Sequence, residues 1–251
     1  PVGEFYSVCN DPVWTKFHVS AFESERVLKY KKEWIKEMAE IYGEESAIYR
    51  QRVLGEFALA TESPYFEQTS IEHCIRKREM NIKNEKPHVL GVDPARYQDF
   101  TALVEMCGRH VGEIKTFQKD YMETVGIIKQ WHERHKFDLI IVETNVGEGI
   151  YSRLKELGLP VEAFRTTRQS KLQIFSNLKL ALESGEITLP DHEELKNQLL
   201  NFEKRPLSDG NIRLTAPEGM HDDIVDALAF AYFAYQKKKK KSRRLPVAHF
   251  Y

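Results

Sequence analysis

The feature that most constrains the fold is a series of five short apolar runs between residues 88 and 164. In chain order they read HVLGVD, TALVEMC, HVGEIKTF, DLIIVE and VEAF. Apolar runs of this length, bounded by turn residues, are typical of β-strands. Only short turns separate the first three runs, which predicts an antiparallel meander. Helical patterns separate the later runs, which is typical of parallel α/β structure.

Segments with helical periodicity follow the third strand run and alternate with the later ones. They predict helices over residues 123–136, 148–157, 170–184, 192–204 and 222–236, with a further short strand over 211–215. Three strands followed by helix, strand, helix, strand and helix predict an α/β domain over residues 87–236. Its expected core is a mixed five-stranded sheet with helices on both faces.

Residues 1–86 are predicted to form a separate, mostly helical segment. Alternating apolar residues at 14–22 predict a strand, and periodic patterns predict helices over 24–42 and 46–57. Thr69 and Glu72 have the spacing of a capping box, which predicts a third helix running towards residue 80. The polar residues that precede His88 predict a linker. At the other end, residues 237–251 are set apart as a basic C-terminal tail.

The formal net charge of −1 conceals an uneven distribution. Seven of the 37 Lys and Arg residues lie between residues 237 and 244, which leaves 30 basic residues against all 38 acidic ones up to Gln236. That portion therefore has a net charge of −8. An acidic body argues against a broad nucleic-acid-binding face and is compatible with a carboxylate cluster that binds cations. The basic tail is equally compatible with a nucleic-acid tether and with a solubilising end.

Composition also excludes several classes of protein. No apolar run reaches the roughly 18 residues that a membrane span requires, so no membrane association is expected. The cysteines, Cys9, Cys74 and Cys107, are far apart and odd in number, which predicts neither a disulfide scaffold nor a CxxC metal site. Cysteines without a disulfide pattern are typical of proteins in the reducing cytosol. The chain begins at Pro1 rather than Met, as expected for a portion of a longer protein.

Acidic residues occur where such a sheet exposes side chains. Asp93 ends the first predicted strand, Glu143 ends the fourth, and Asp222 and Asp223 open the last helix. Because ligand sites in open α/β sheets lie at the carboxyl ends of the strands, we expect these carboxylates to converge. Converging carboxylates repel one another unless divalent cations bind, and Mg²⁺ and Mn²⁺ prefer oxygen ligands. Two such ions can hold a phosphodiester for hydrolysis.

Each of these acids also has a structural explanation. Asp93 precedes Pro94 and can begin an Asx turn. Glu143 can be an isolated acid at a strand end, and Asp222 or Asp223 can cap the last helix. These explanations are independent of one another, whereas a single metal site accounts for all of the acids. The combination therefore favours the functional interpretation.

Two neighbours of these acids are further candidates for the site. Asp226 shares a helix face with the two acids that open the helix, so it is either a fourth acid of the site or a solvated side chain. His221 is a ligand, a proton shuttle or a loop residue.

At these residues the sequence resembles the C-terminal nuclease domain, of ribonuclease H-like fold, of the large terminase subunit that packages DNA in tailed phages. The resemblance covers residues 87–236 and is carried by GVDPARYQDFTALV, LIIVETNVGEGIYSRLKELG and HDDIVDALAFAYFAY. It implies a metal-dependent endonuclease that cuts double-stranded DNA with Mg²⁺ or Mn²⁺, two ions being bound with DNA. Asp93, Glu143 and Asp223 match the three metal-binding acids of the family, and Asp222 is an adjacent catalytic candidate.

The segment SAIYRQRVLGEFALATES, within residues 1–86, resembles the end of the ATPase and linker region of the same family. No GxxxxGK[ST] phosphate-binding loop occurs in the 251 residues, so we expect no ATP hydrolysis by this chain. The resemblance further implies a portal and a small terminase subunit as partners, and action in the cytoplasm of the host cell. The isolated chain is compatible with a monomer.

DNA contacts are expected from local basic residues because the body of the chain is acidic. The candidates are Arg165, Arg168, Lys171, Lys204, Arg205 and Arg213. The first three follow a predicted strand on the same sheet edge as Glu143, where a solvated loop is the alternative explanation. The other three would flank a hairpin that meets DNA or regulates access to the site.

Two other functions are compatible with the sequence. A Holliday-junction resolvase or a hybrid-cleaving ribonuclease would use the same fold and the same acids on another substrate. A non-catalytic DNA-binding or assembly module would use the acids structurally and bind its partner through the basic tail. The terminase-like N-terminal segment favours plain duplex DNA as the substrate.

Overall fold

The computed structural model describes residues 8–9, 11–30, 32–42, 49–56, 64–76, 82, 84–95, 100–206, 212–217 and 220–242. Parts of the helices predicted over 46–57 and towards residue 80, and part of the predicted linker, lie outside the described residues. Among the helices that are described, none is both long enough and apolar enough to cross a lipid bilayer.

A mixed five-stranded sheet lies at the centre of the structure. Its strands are β1 (His88–Asp93), β2 (Thr101–Cys107), β3 (His110–Phe117), β4 (Leu139–Glu143) and β5 (Val161–Phe164), arranged in the order β3-β2-β1-β4-β5. β2 is antiparallel to both β1 and β3, whereas β4 is parallel to both β1 and β5. The predicted meander and the mixed sheet are confirmed.

Helices cover both faces of this sheet, as predicted. The described α-helices are α1 (Glu25–Tyr30), α2 (Lys32–Tyr42), α3 (Gln68–Cys74), α4 (Tyr121–His135), α5 (Thr144–Glu156), α6 (Arg168–Glu183), α7 (Glu193–Asn201) and α8 (Asp223–Ser242). On one face, Ile128 of α4 and Leu154 of α5 pack against Leu90 and Ile140. On the other, α3, α6, α7 and α8 form a larger core with the opposite side of the same strands.

Part of the predicted N-terminal segment packs against the sheet domain. Phe66, Ile71 and Cys74 belong to the core that contains α8, although they precede the predicted boundary at residue 86. Ile35 and Val53 belong to a separate, smaller cluster of buried side chains. The residues before the boundary therefore contribute to two different cores.

Two local predictions in the N-terminal segment are wrong. Residues 14–22 form turns and irregular structure, with Phe17 89% exposed, because no strand in the described part of the chain pairs with them. The capping box is absent because α3 begins at Gln68, which places Thr69 inside the helix. The preceding residue, Glu67, makes no side-chain cap hydrogen bond.

The C-terminal elements bring a hairpin and a long helix to the larger core. β6 (Glu203–Pro206) and β7 (Ile212–Thr215) pair as an antiparallel hairpin. The strand predicted over 211–215 is present, whereas the helix predicted to reach residue 204 ends at Asn201, because the residues that follow it pair with β7. α8 continues through the first residues of the predicted tail as far as Ser242, because Gln and Lys are good helix formers. Lys237 contacts Glu162 on β5, which ties this extension to the sheet.

Candidate active site

Asp93 and Glu143 end adjacent parallel strands and project towards the same face of the sheet. β1 and β4 are in register, with Val92 opposite Val142, so the two acids occupy the next pair of positions. Side chains alternate between the two faces of a strand, and Ile141, two residues before Glu143, lies in the core that contains α8. Both acids therefore project towards α8, and neighbouring strands are only about 4.8 Å apart.

Gly91 allows α8 to pack directly on β1. A Cβ atom at this position would lie 2.0 Å from the carbonyl oxygen of Ala227 and 2.4 Å from the amide nitrogen of Ala231. No side chain larger than hydrogen fits between these backbones. Because Asp93 is two residues beyond Gly91, this close approach places the first turn of α8 beside the end of β1.

The first turn of α8 brings further carboxylates to Asp93. Burial raises the pKa of Asp93 well above its usual range, and the charges of Asp226, Asp223 and Asp222 raise it further, partly offset by Lys171. Burial also raises the pKa of Asp226 to about 6, with Lys171 opposing the shift and Asp222 adding to it. Such shifts arise when like charges share a desolvated site. We call Asp93, Asp222, Asp223 and Asp226 the acid cluster.

Lys171 supplies a positive charge inside the acid cluster. Its Nζ lies 2.9 Å from Oδ2 of Asp226 and 4.0 Å from Oδ2 of Asp222. It also lies 5.3 Å from the ring centroid of Phe175. Burial lowers the pKa of Lys171, but Asp226 and Asp222 outweigh it, so the net shift is upward. The sequence interpretation placed Lys171 at the correct sheet edge but assigned its charge to DNA, and missed its pairing with the acids.

Glu143 caps the helix that follows it. Its carboxylate accepts hydrogen bonds from the backbone N–H groups of Asn145, at 3.0 Å, and Val146, at 3.2 Å. This cap explains why α5 begins at residue 144, earlier than the predicted start at 148. Gly147 lies against Pro94, whose Cγ would be 2.4 Å from a Cβ at residue 147. The start of α5 is therefore held against the residue that follows Asp93.

The residues before α8 differ in their surroundings. Asp222 accepts a hydrogen bond from the backbone N–H of Ala216, at 3.1 Å, which ties the end of the hairpin to the acid cluster. His221 is exposed, with Nδ1 3.5 Å from Oδ2 of Asp223 and its ring edge-to-face with Phe100. His221 thus lies at the entrance to the acid cluster, and Asp226 lies within it.

The acids are more widely spaced than the ligands of a closed metal site. In the described residues, the one group of three or more His, Cys, Asp or Glu side chains whose ligand atoms all lie within 4.8 Å of one another is His88, Glu105 and Cys107. That group lies at the opposite end of β1 and was not predicted. The acid cluster nevertheless fits hard cations, because its ligands are oxygen atoms and because burial, together with the neighbouring acids, raises the pKa of Asp93 and Asp226.

Three of the predicted DNA-binding residues line one cavity beside the acid cluster. The cavity has a volume of about 510 Å³ and lies between the start of α6 and β7. Arg168, Lys171, Arg213 and Asp222 contribute to its walls. Arg165 is exposed just before α6, outside this lining. Lys204 and Arg205 lie on β6, where Arg205 pairs with Glu203 of its own strand at 2.6 Å.

Comparison with known proteins identifies the family. A family model described as the terminase RNaseH-like domain matches residues 90–234. The chain therefore belongs to the terminase RNaseH-like domain family.

Related large terminases come from thermophilic phages. The large terminase subunits of Thermus phage G20c and Thermus virus P23-45 are each 27% identical to this chain over 157 residues. The match covers 60% of this chain and 32% of each relative, so the chain spans about a third of the length of these curated relatives.

Solved structures of large terminase nucleases share the fold. The crystal structure of the phage G20c large terminase nuclease matches with a TM-score of 0.61 and 22% identity, covering 69% of this chain and 99% of that chain. The same nuclease has been crystallised with bound magnesium, with a TM-score of 0.61 to this chain. The large terminase nuclease domain of Thermus phage P74-26 matches with a TM-score of 0.57 and 21% identity, over 67% of this chain and 95% of its own.

Proposed function

We propose that this chain carries the nuclease domain of a large terminase and cuts double-stranded phage DNA during packaging, using Mg²⁺ or Mn²⁺ at the acid cluster. The main support is the position of Asp93, at the carboxyl end of β1 and beside the acids of α8, in a chain whose residues 90–234 match the family. Binding of magnesium by the related G20c nuclease supports the choice of ion.

Asp93, Glu143 and Asp223 are the proposed metal ligands, with Asp222 beside them. When bound, the ions would polarise the scissile phosphate and favour ionisation of an attacking water. Release of the carboxylate protons is part of this binding, because burial and like charges hold the pKa of Asp93 high before a cation arrives. Lys171 partly neutralises the acids in the absence of metal.

The cavity beside α6 is the proposed path of a DNA phosphate backbone. Arg168 and Arg213 contribute cationic groups to its walls, and Asp222 connects it to the acid cluster. Contacts of this kind are independent of base sequence, which suits an enzyme that cuts DNA of many sequences. Arg165, Lys204 and Arg205 are proposed to extend the basic surface along the same edge.

We further propose a domain organisation and a cellular setting. Residues 87–236 would be the nuclease domain, residues 1–86 the end of the ATPase and linker region, and residues 237–251 a basic tail. ATP hydrolysis is not proposed for these 251 residues, because they contain no GxxxxGK[ST] loop. The proposed partners of the whole terminase are a portal and a small terminase subunit, in the cytoplasm of the host cell.

Cleavage of supercoiled plasmid tests the proposed activity. The wild type, Asp93→Asn and Asp223→Asn are compared with Mn²⁺, with Mg²⁺ and with EDTA. Glu133→Gln is the matched control, because Glu133 is an exposed acid on α4, on the other face of the sheet. We expect nicking and linearisation by the wild type and the control in the presence of metal, and loss of both in the two Asp variants. Equal activity in all four proteins would refute the proposed site.

Two measurements separate the proposed function from its alternatives. Calorimetric titration with Mn²⁺ shows whether the acid cluster binds metal even when the isolated chain does not cut. Absence of Mn²⁺ binding, together with no cleavage of any substrate, would support a DNA-binding or assembly module, in which the acids are structural. Cleavage of branched DNA or of an RNA–DNA hybrid in preference to plain duplex would instead support a resolvase or a ribonuclease.

A further inference from the structure

A second group of metal-ligating side chains lies at the end of the sheet opposite Asp93. His88 begins β1 and pairs directly with Cys107 of β2. Glu105, two residues before Cys107, shares its face of the strand. Nε2 of His88 lies 2.6 Å from Oε1 of Glu105 and 3.0 Å from Sγ of Cys107, and all three residues are buried.

The carboxylate of Glu105 is held in place by groups that surround it. His135, at the end of α4, places Nδ1 2.5 Å from Oε1 of Glu105. Trp131 donates a hydrogen bond to Nε2 of His135 at 3.1 Å, so the proton of the neutral His135 ring is on Nδ1 and faces the carboxylate. The backbone N–H of Glu113 donates to Oε2 at 3.0 Å.

The absence of a side chain at Gly112 leaves space for the carboxylate of Glu105. A Cβ at Gly112 would lie 2.6 Å from Oε2 of Glu105, so the glycine leaves space that the carboxylate fills. Carboxylates that bind a metal ion are themselves hydrogen-bonded to neighbouring groups, as Glu105 is to His135 and to the backbone of Glu113.

The hydrogen bonds of this group cannot all form at the same time. Nε2 of His88 carries at most one proton, yet it faces both a carboxylate oxygen and a sulfur atom. One cation bound to Nε2, Oε1 and Sγ would satisfy all three atoms at once. Zn–N and Zn–S bonds of about 2.0 and 2.3 Å require ligand atoms about 3 to 4 Å apart. The Nε2–Sγ distance of 3.0 Å meets this requirement. The Nε2–Oε1 distance of 2.6 Å would have to widen by about 0.5 Å when the ion binds.

We propose that His88, Glu105 and Cys107 bind one divalent transition-metal ion, with Zn²⁺ as the preferred ion, at a site separate from the acid cluster. The combination of imidazole, thiolate and carboxylate favours Zn²⁺ over the Mg²⁺ and Mn²⁺ expected at an all-oxygen site. His135 is a positioning residue that orients Glu105. The site joins the start of β1 to β2 and, through His135, to the end of α4. Its role is structural, because the three ligands are buried.

Cobalt substitution tests this site by a readout that does not involve nuclease activity. The metal-free full chain is titrated with Co²⁺ in a buffer containing Mg²⁺, and the cobalt–thiolate charge-transfer absorption is recorded. We expect one equivalent of Co²⁺ to produce the band in the wild type, and Zn²⁺ to displace it. Cys107→Ser should abolish the band. Cys74→Ser, which removes another buried thiol, and Asp93→Asn, which alters the acid cluster, should retain it.

Several outcomes would overturn the proposal. They are the absence of a band in the wild type, a band that persists in Cys107→Ser, or a band that is lost in Asp93→Asn. Should Cys107→Ser fail to fold, His135→Gln keeps all three ligands and provides the second test. We expect it to weaken Co²⁺ binding about 10- to 100-fold, and an unchanged affinity would refute the proposed support of Glu105.

Discussion

Nζ of Lys171 lies 2.9 Å from Oδ2 of Asp226, so the acid cluster contains a cation of its own before any metal binds. Both side chains are largely withdrawn from solvent, with exposures of 21% and 14%. The pair is therefore screened less by salt than a surface ion pair would be.

Removing this cation should increase the attraction of the acid cluster for divalent ions. We expect Lys171→Met to bind Mn²⁺ more tightly than the wild type, by about 3- to 10-fold, and to be less stable without metal at pH 7. Calorimetric titration and thermal unfolding measure the two effects. Lys179→Met, two turns further along α6 and paired with Glu183, is the matched control. Weaker Mn²⁺ binding by Lys171→Met would mean that Lys171 positions the carboxylates rather than competing with the ion.

Asp93 is expected to contribute to function at the expense of stability. Asp93→Asn removes a buried carboxylate that faces other carboxylates, so we expect the metal-free variant to be about 1 to 2 kcal/mol more stable than the wild type at pH 7. Thermal or urea unfolding in EDTA measures this change. The same variant should not cut plasmid DNA. A less stable variant would show that repulsion among the acids is already compensated in the metal-free chain.

The raised pKa of Asp226 predicts how stability depends on pH. The folded chain retains a proton between the usual Asp value of 3.8 and about 6, whereas the unfolded chain has already lost it. This group therefore destabilises the metal-free fold as pH rises through that window, by about 2 to 3 kcal/mol in all. Mg²⁺ should restore stability more at pH 7.5 than at pH 5.

Thermal unfolding in EDTA between pH 4 and 7.5 measures this dependence. His110 and His132, whose pKa values burial lowers, act in the opposite direction by destabilising the fold on acidification. The comparison with Asp226→Asn separates the contribution of the acid cluster from that of the histidines, since the variant keeps both histidines. It includes the effect on Asp93, whose pKa is raised by burial and then by the charge of Asp226. Identical pH profiles for the wild type and Asp226→Asn would contradict the expected role of Asp226.

Gly91 and Gly126 should respond to alanine in opposite directions. Gly91→Ala places a methyl group 2.0 Å from the carbonyl oxygen of Ala227, so we expect a loss of about 3 kcal/mol or more, together with loss of cleavage as α8 moves away from Asp93. Gly126→Ala lies on α4, where a Cβ meets nothing within 4 Å, and should gain about 0.5 to 1 kcal/mol. Urea unfolding measures both. Similar effects of the two substitutions would refute the close packing of α8 on β1.

Arg213 should contribute a phosphate contact to DNA binding. We expect Arg213→Glu to weaken binding to duplexes of different sequence by a similar factor, and to reduce the salt dependence by about one unit of slope. Fluorescence anisotropy with Ca²⁺ in place of Mg²⁺, across a series of salt concentrations, measures both quantities. Arg134→Glu makes the same charge change at an exposed position on α4 and serves as the control. Equal losses in the two variants would indicate only a general effect of net charge.

The strands of the central sheet were predictable because each is a short run that is mostly apolar or alternates, with distinct turn residues at its ends. The bounds of β1, β2, β3 and β5 agree with the runs read from the sequence. The alternating residues at 14–22 failed as a strand since pairing, not alternation, stabilises a strand. The start of α5 was misplaced because Glu143 was considered as a ligand and not also as a helix cap.

The acid positions could be predicted from topology, whereas the side-chain environment could not. Strand ends and helix starts are visible in a sequence, so Asp93 and Asp223 could be placed at one edge. The pairing of Lys171 with Asp226 depends on how α6 and α8 approach each other, and no local pattern records that distance. The group around His88 was not predicted because its members come from two strands and a helix, which only the tertiary fold brings together.

β1 carries the two proposed ion sites at its two ends. His88 and Asp93 are the first and last residues of this six-residue strand and lie about 17 Å apart. Two doubly charged ions that far apart repel by only about 1 kcal/mol in water, and by less at physiological salt. Each site can then bind or release its ion almost independently of the other site. The concentration of magnesium would therefore control the catalytic activity of the domain, whereas the concentration of zinc would control how long the domain stays folded.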